Sequence, residues 1–179
     1  MANATNLTLT EIRAFLTQLG ERLEQPTDLY LLGGGALYLL GNSRATQDID
    51  YVGNDLPDKT DILQNTIRQL AHELRLEVEG VPIDQFMPLP EGASARHRLI
   101  GRFGNVTVYV FDPYSIALSK LDRGFESDLE DIVFLIRQNL ITLPQLEQYV
   151  EQAILRAKEF AMSPTELRKH LAIVKQMHL

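Results

Sequence analysis

The chain has 179 residues, of which 45% are hydrophobic, so it is long and apolar enough to bury the core of one domain. It contains no cysteine, which excludes disulfides and thiolate metal sites. The formal net charge of −7 argues against a protein that coats nucleic acid non-specifically, because that mode of binding needs many Lys and Arg side chains. No apolar stretch approaches the roughly 20 residues that span a bilayer. We therefore expect a soluble cytoplasmic protein with no membrane partner.

The first half of the chain alternates short helices and strands. Thr8–Glu11 has the spacing of a capping box, and apolar residues then recur at helical intervals as far as Leu23, which predicts an amphipathic helix. Leu29–Leu32 is a short apolar run stopped by glycines and is typical of a buried strand. A short helix over Ala36–Leu40 and a second strand over Asp48–Val52 follow.

The second half of the chain predicts more sheet, followed by helices only. The predicted elements are an amphipathic helix over Lys59–Leu74, a strand near Leu76–Val81, a segment over Val81–Ala95 that is mostly loop, and a hairpin of Leu99–Phe103 and Val106–Phe111. Helices are then predicted from Pro113 to about Asp122, over Asp128–Arg137, from Pro144 to about Phe160, and from Pro164 onward. We therefore predict an α+β fold in which helices flank a mixed sheet. Its core is expected to be residues 1–112, with residues 113–179 forming a C-terminal helical part packed on that core.

Three consecutive glycines, Gly33, Gly34 and Gly35, separate the first predicted strand from the short helix. Glycine lets the backbone take positive φ and approach a ligand closely, and the helix behind it directs free N–H groups towards the same place. This arrangement favours the binding of phosphate. Taken alone it is a weak signal, because a glycine-rich turn is a common way to join two elements.

Asp48 and Asp50 lie two positions apart on the second predicted strand, so both side chains point to one face of the sheet. Two carboxylates on one face can share a hard divalent cation. An acidic pair of this kind also fits the solvated face of an ordinary edge strand. The glycines and the pair are therefore either a tight turn with an acidic strand behind it or a site for a triphosphate and its metal.

Taken together, these features resemble the signature of the DNA polymerase β-like nucleotidyltransferase superfamily, in which a glycine-rich turn opens a helix and an Asp-hydrophobic-Asp motif follows on the next strand. The chain looks most similar to the AbiEii-like branch of bacterial toxins and related uncharacterised proteins. The patterns of that branch, Gly-Gly-x-Ala-Leu and Arg-x-Thr-x-Asp-hydrophobic-Asp, appear here as Gly33–Leu37 and Arg44–Asp50. The family often has Ser or Thr where Gly35 stands, so backbone N–H groups must supply that phosphate contact here.

The resemblance implies an Mg²⁺-dependent (or Mn²⁺-dependent) enzyme that transfers a nucleoside monophosphate from an NTP to an acceptor hydroxyl. It gives Arg44 and Thr46, with the three glycines, a role in nucleotide binding, and it makes Asp48 and Asp50 catalytic metal ligands. RNA or tRNA, a protein side chain and a small molecule all remain open as acceptors, and a cognate antitoxin is a further partner. The alternative is a non-catalytic module of the same fold that binds nucleotides or an antitoxin.

A third carboxylate is expected, because transfer with two metal ions usually uses three. The candidates after the pair are Glu77, Glu79, Asp84 and Asp112. Asp112 precedes a proline and fits a helix N-cap, whereas Glu77 and Glu79 fit the solvated face of an edge strand. Asp84 falls roughly where the superfamily's third acid sits, and we predict it as the third catalytic metal ligand. Pro82 argues against this choice, since proline would interrupt a central strand.

A second motif follows in the helical part. Ser119–Arg123 and Ser127–Ile132 resemble the Lys-x-x-x-x-Arg-like and Asp-x-x-Asp-Ile/Leu elements of the AbiEii-like branch. The resemblance implies that Lys120 and Arg123 contact the nucleotide and that Asp128 has a catalytic or positioning role.

A capping box formed by Ser127 and Glu130 is the competing interpretation of this segment, and Asp128 would then only favour the N-terminus of a helix. A basic cluster of Arg96, His97, Arg98 and Arg102 fits either contact with a polynucleotide or a solvated loop. The four histidines show no metal-ligand spacing.

Overall fold

A computed structural model describes residues 6–54 and 60–179. Within these ranges the strands are β1 (Thr27–Leu32), β2 (Asp48–Val52), β3 (Glu77–Val81), β4 (Arg98–Phe103) and β5 (Val106–Val110). The α-helices are α1 (Leu9–Arg22), α2 (Gly33–Leu39), α3 (Ile62–Leu74), α4 (Ile83–Phe86), α5 (Pro113–Arg123), α6 (Glu126–Arg137), α7 (Leu143–Leu155) and α8 (Pro164–His178).

The five strands form one mixed sheet in the order β3-β2-β1-β5-β4. β1 runs antiparallel to β2 and parallel to β5, while β2 and β3 are parallel. β4 and β5 form the predicted hairpin, whose turn residue Gly104 has a φ of 58°. The predicted α+β fold, with a mixed sheet, flanking helices and a C-terminal helical region, is confirmed.

The two faces of the sheet differ in chemistry because side chains alternate along each strand. Ile49 and Tyr51 of β2 are buried on one face, together with the valines of β5. Helices α1 and α3 contact each other and cover this face, and Tyr51 lines a cavity of about 270 Å³ together with Ile67 of α3. The opposite face carries Asp48 and Asp50. The buried apolar residues of β2 and its acidic residues therefore lie on opposite faces of the sheet.

Helix α1 begins where the sequence predicts. The Glu11 N–H donates to the Thr8 hydroxyl at 3.2 Å, and the Thr8 N–H donates to the Glu11 carboxylate at 2.7 Å, which completes the capping box. The predicted helix over Lys59–Leu74 is α3, which starts at Ile62 with Asp61 as its N-cap. Lys59 itself lies outside the described residues.

The chain divides into two compact units. The first comprises Met1–Pro82 and Arg98–Phe111 and contains the sheet with α1, α2 and α3. The second comprises Ile83–His97 and Asp112–Leu179, so the segment before β4 groups with the C-terminal helices. In the second unit, α5 contacts α6, α7 and α8 around a core that includes Leu118, Leu121, Ile132, Leu135, Leu146, Leu167 and Val174.

Three details of the helical predictions need correction. The segment over Val81–Ala95, predicted to be mostly loop, also contains α4 and a 3₁₀ turn at Ala93–Ala95. The helix predicted from Pro144 to about Phe160 is interrupted after Leu155, where Ala157–Phe160 forms a separate 3₁₀ turn. The helix predicted over Asp128–Arg137 starts at Glu126, because Phe125 already has the extended backbone of an N-cap.

Replacing Gly20 by Ala should destabilise the protein, although the same change at an open helix position stabilises by up to about 1 kcal/mol. The reason is that a Cβ at Gly20 would overlap the carbonyl oxygen of Phe103 in the hairpin. Overpacking of this kind typically costs about 1–3 kcal/mol. Urea unfolding followed by circular dichroism measures the difference. Glu21→Ala, at the exposed neighbouring position, is the control and should differ from the parent by no more than about 0.5 kcal/mol. An unchanged or higher midpoint for Gly20→Ala would contradict this packing.

Candidate active site

The glycine turn begins at the end of β1 and lies directly against β2. Gly33 has a φ of 64° and opens α2. A Cβ at Gly33 would overlap the Oδ2 atom of Asp50, so only glycine allows the carboxylate to rest on the turn. A Cβ at Gly35 would lie 3.1 Å from the backbone oxygen of Asp48, so this glycine also lies close to β2. The turn and the carboxylate pair are therefore in immediate contact.

Asp48 and Asp50 share one face of β2, as predicted. Asp48 is exposed and Asp50 is half-buried, whereas Ile49 between them is buried on the other face. Carboxylate oxygens are the ligands that Mg²⁺ and Mn²⁺ prefer. The donor set of this pair therefore suits a hard divalent cation.

Arg44 and Thr46 lie beside the turn. The Thr46 hydroxyl is 3.1 Å from Asp48 Oδ1 and 3.1 Å from the Asp48 backbone oxygen, and it orients that carboxylate. A Cβ at Gly34 would lie 3.1 Å from Thr46 Oγ1 and 3.6 Å from Arg44 Nη2. The structure thus brings together all the residues predicted for nucleotide binding from Gly33 to Asp50. The Arg44 guanidinium adds positive charge next to the turn.

Two further acids lie beside the pair on β3. The parallel register pairs Asp48 with Glu77 and Asp50 with Glu79, so the four carboxylates belong to one face of the sheet. Both glutamates are exposed. Among the described residues, no group of three or more His, Cys, Asp or Glu side chains is arranged to hold a metal ion.

Asp84, the predicted third ligand, is not on a strand. β3 ends at Val81, and Pro82 separates it from α4, in whose first turn Asp84 lies exposed. Proline has no backbone N–H to continue the sheet, which accounts for the end of β3 before Asp84. Asp84 belongs to the second compact unit, and its role as a metal ligand stays a prediction.

A buried group of charges joins α5 and α6 in the second unit. Lys120 Nζ lies 2.7 Å from Asp131 Oδ2 and 3.2 Å from Asp128 Oδ1, and Arg123 Nη2 lies 2.5 Å from the same Asp128 oxygen. Lys120 is 2% exposed and Asp128 is 1% exposed. Two carboxylates buried in this way need cationic partners. The nucleotide contacts predicted for Lys120 and Arg123, and the role predicted for Asp128, stay predictions, while the ion pairs already explain why these residues occur together.

The capping box suggested for Ser127 and Glu130 is wrong. Helix α6 starts at Glu126, and its N-cap is Phe125, whose side chain makes no capping hydrogen bond. Ser127 therefore lies inside the first turn of the helix. Asp128 lies in the same turn, where the positive end of the helix dipole stabilises its negative charge.

Arg96 and Asp112 form another ion pair within the second unit. Arg96 donates to both carboxylate oxygens of Asp112, at 2.7 and 3.0 Å, and its guanidinium lies 5.3 and 5.1 Å from the ring centroids of Tyr114 and Tyr149. The hydrogen bonds that Arg96 donates to Asp112 raise the pKa of Arg96. Asp112 also accepts from the Ser115 N–H at 3.1 Å and caps α5, which confirms its interpretation as an N-cap. Arg96 is thus engaged inside the unit.

Sequence patterns do not single out Tyr30 and Tyr109, which lie on the acidic face of the sheet with Asp48 and Asp50. Alternation within each strand is visible in the sequence, and it gives each tyrosine a face. The pairing of β1 with β5 is not visible, because these strands are far apart in the chain. Only the strand order and register show that the two tyrosines lie side by side on the acidic face.

Comparison with known proteins matches the chain to a family. A family model described as “Nucleotidyltransferase of unknown function (DUF6036)” matches residues 7–172. No curated protein and no solved structure matches the chain. The match confirms the nucleotidyltransferase expectation and does not name the AbiEii-like branch. None of the helices in the described part of the chain is long and apolar enough to cross a membrane.

Replacing Lys120 by Met should lower the free energy of unfolding by about 3–5 kcal/mol, because it leaves two buried carboxylates without their shared partner. Arg123→Met is the control, since the Arg123 side chain is 55% exposed and its pairing with Asp128 is partly screened by solvent. Its expected cost is about 1 kcal/mol or less. Denaturant unfolding of both variants tests the ordering. Equal stabilities for Lys120→Met and the parent would show that the buried ion pairs contribute nothing to the second unit.

Proposed function

The chain belongs to the DUF6036 family of nucleotidyltransferases, and we propose that it transfers a nucleoside monophosphate from an NTP to an acceptor hydroxyl. The contact between Asp50 and Gly33 carries this proposal. It brings a turn of the type that binds phosphate next to a pair of carboxylates suited to a hard divalent cation. Either feature alone has an ordinary structural explanation, whereas their contact is what a bound metal–triphosphate complex requires.

The triphosphate would lie over the turn of Gly33, Gly34 and Gly35. Backbone N–H groups at the start of α2 donate to phosphate oxygens, and Arg44 offsets part of the remaining negative charge. Asp48, held by the Thr46 hydroxyl, and Asp50 would hold Mg²⁺ or Mn²⁺. When bound, the cation would neutralise the negative charge that develops on the phosphoryl oxygens and on the leaving pyrophosphate. The role of the chain's own residues is to fix the nucleotide for in-line attack by the acceptor.

We propose Glu79 as the third carboxylate. It is the residue paired with Asp50 in the β2–β3 ladder, and a glutamate side chain is long and exposed enough to turn towards its neighbour. Glu77 is the partner of Asp48 on the same face. Asp84 is the alternative suggested by the sequence, and variants of these residues distinguish the two assignments.

RNA or tRNA, a protein side chain and a small molecule are the acceptors that we propose to test. The AbiEii-like resemblance supports a toxin that modifies RNA and is neutralised by a cognate antitoxin. The second candidate function is a nucleotide-binding or antitoxin-binding module without catalysis. It is favoured by one observation: among the described residues, no three acidic or histidine side chains are arranged to hold a metal.

Asp48→Asn and Asp50→Asn should each abolish nucleotidyl transfer while the fold is kept. Removing one negative oxygen ligand weakens a hard-cation site. Loss of a residue that only hydrogen-bonds a metal ligand costs about 10- to 100-fold in activity, and we expect a larger loss here. Transfer of label from α-³²P-NTPs to total cellular RNA or protein, with Mg²⁺ or Mn²⁺, measures it. Circular dichroism confirms folding of the variants. Parent-like transfer by both variants would show that the pair is not the metal site, and absence of transfer by the parent, with NTP still bound, would support the non-catalytic module.

Glu79→Gln should reduce transfer far more than Glu77→Gln or Asp84→Asn. All three changes replace an exposed carboxylate by an amide of nearly the same size, so their effects on stability should stay within about 0.5 kcal/mol. A comparison of transfer rates across a titration of Mg²⁺ identifies the residue whose loss raises the metal requirement. If Asp84→Asn alone raised it, the assignment suggested by the sequence would replace Glu79.

A further inference from the structure

One backbone contact joins the segment before α1 to the segment before β2. The Leu7 N–H donates to the Thr46 carbonyl oxygen at 2.7 Å, in an isolated antiparallel bridge outside the strands of the sheet. Both residues are buried, with 6% of Leu7 and 5% of Thr46 exposed, whereas Ala45 and Gln47 on either side of Thr46 are exposed. The bridge therefore fixes one buried point on each of the two segments.

The residue that follows Leu7 is fixed independently of this bridge. Thr8 is the N-cap of α1, and its N–H and its hydroxyl both donate to the Glu11 carboxylate at 2.7 Å. Helix α1 then buries its apolar residues, among them Ile12 and Phe15, in the core of the first unit. Leu7 and Thr8, which we name the N-terminal strap, therefore connect a capped helix directly to Thr46.

The side chain of Thr46 contacts both parts of the candidate site. Its hydroxyl donates to Asp48 Oδ1 and to the Asp48 backbone oxygen, each at 3.1 Å. It also packs against the glycine turn, because a Cβ at Gly34 would lie 3.1 Å from Thr46 Oγ1 and a Cβ at Gly35 would lie 3.9 Å from Thr46 Cγ2. Thr46 therefore lies between the turn and the carboxylate of Asp48.

The hydrogen bonds of Thr46 argue against a contact with phosphate. A hydroxyl has one proton to donate, and both oxygens that accept it here belong to Asp48. A phosphate oxygen of an NTP needs a donor, so it would have to displace Asp48 from a side chain that is almost fully buried. Carboxylates that bind metal ions are themselves held by hydrogen bonds, and this is the role that the Thr46 contacts fit.

We propose that Thr46, held by the N-terminal strap, is a positioning residue that keeps the Asp48 carboxylate in the orientation in which it binds the metal. This inference rests on the proposed function and gives Thr46 a role through Asp48 instead of a contact with the nucleotide. The competing explanation is the one that the family resemblance implies, in which the Thr46 hydroxyl binds the nucleotide directly. A further alternative is that the bridge and the hydroxyl only stabilise the fold.

Metal binding and nucleotide binding, measured separately on the full chain, distinguish these explanations. Electron paramagnetic resonance of Mn²⁺ measures metal affinity in the presence of the α,β-methylene analogues of ATP, GTP, CTP and UTP, tested one at a time. Isothermal titration at saturating Mn²⁺ measures the affinity for each analogue. We expect Thr46→Val, which keeps the shape and loses the hydroxyl, to weaken Mn²⁺ binding about 10- to 100-fold. Its affinity for the analogues at saturating Mn²⁺ should stay that of the parent.

Two further variants of this segment serve as controls. Thr46→Ser keeps the hydroxyl and should restore most of the Mn²⁺ affinity, whereas Gln47→Ala changes an exposed neighbour and should bind Mn²⁺ like the parent. Circular dichroism and thermal melting confirm that each variant is folded at the temperature of the titrations. Thr46→Ala gives the same comparison if Thr46→Val does not fold.

The strap is tested by Leu7→Ala, with Leu9→Ala as its control. Leu7 is buried, and shortening its side chain loosens the residue whose N–H holds Thr46, whereas Leu9 is 38% exposed. We expect Leu7→Ala to lower the Mn²⁺ affinity, by less than Thr46→Val does, and Leu9→Ala to leave it unchanged. A folded Leu7→Ala protein with lower thermal stability and the Mn²⁺ affinity of the parent would show that the strap only packs, and would overturn its part in the proposal.

The remaining outcomes decide the role of Thr46. If Thr46→Val weakens binding of the analogues at saturating Mn²⁺ and leaves the Mn²⁺ affinity unchanged, Thr46 is a nucleotide ligand and the proposal is wrong. Parent-like values of both affinities in Thr46→Val also overturn it, because the hydroxyl then serves stability alone. If the parent itself binds neither Mn²⁺ nor any analogue, the proposed function fails and this inference fails with it, a result that differs from a change confined to the variants.

Discussion

The carboxylate of Asp50 occupies the space that a Cβ at Gly33 would fill, and the candidate site depends on this close contact. It requires a residue without a Cβ at the end of β1, with a backbone that turns into α2 at positive φ. It also requires antiparallel pairing of β1 with β2, because Leu32 must lie opposite Asp50. The glycine turn, the register of β1 with β2 and the position of Asp50 therefore depend on one another.

Local features of this arrangement were accessible from the sequence. The capping box at Thr8, the glycine turn and the alternation of Asp48, Ile49 and Asp50 are patterns over a few residues, and each leads to an element that the structure contains. Strand order depends on contacts between segments that are distant in the chain. For that reason the sequence could not show that Glu79 lies beside Asp50.

Burial separates two interpretations that the sequence cannot separate. Lys120 and Asp128 match a motif of polar residues, and polar residues in a motif suggest contact with a ligand. Both are almost fully buried and are paired with each other, so the same letters also describe the ionic core of a helical unit. Sequence spacing gives the positions of charged residues along a helix. Which face of the helix packs against the core decides whether those residues pair with each other or contact solvent and ligands.

The acidic face gives a physical reason for a divalent cation. Asp48, Asp50, Glu77 and Glu79 share one face of two neighbouring strands, and like charges side by side repel one another. A triphosphate brought to this face adds more negative charge, against which Arg44 supplies one positive charge. If the triphosphate binds here as we propose, cations are needed to bring the two groups together, and metal that binds only the folded protein would also stabilise it. Under the proposed function we therefore expect nucleotide binding to depend on metal binding, because carboxylates and phosphate repel each other.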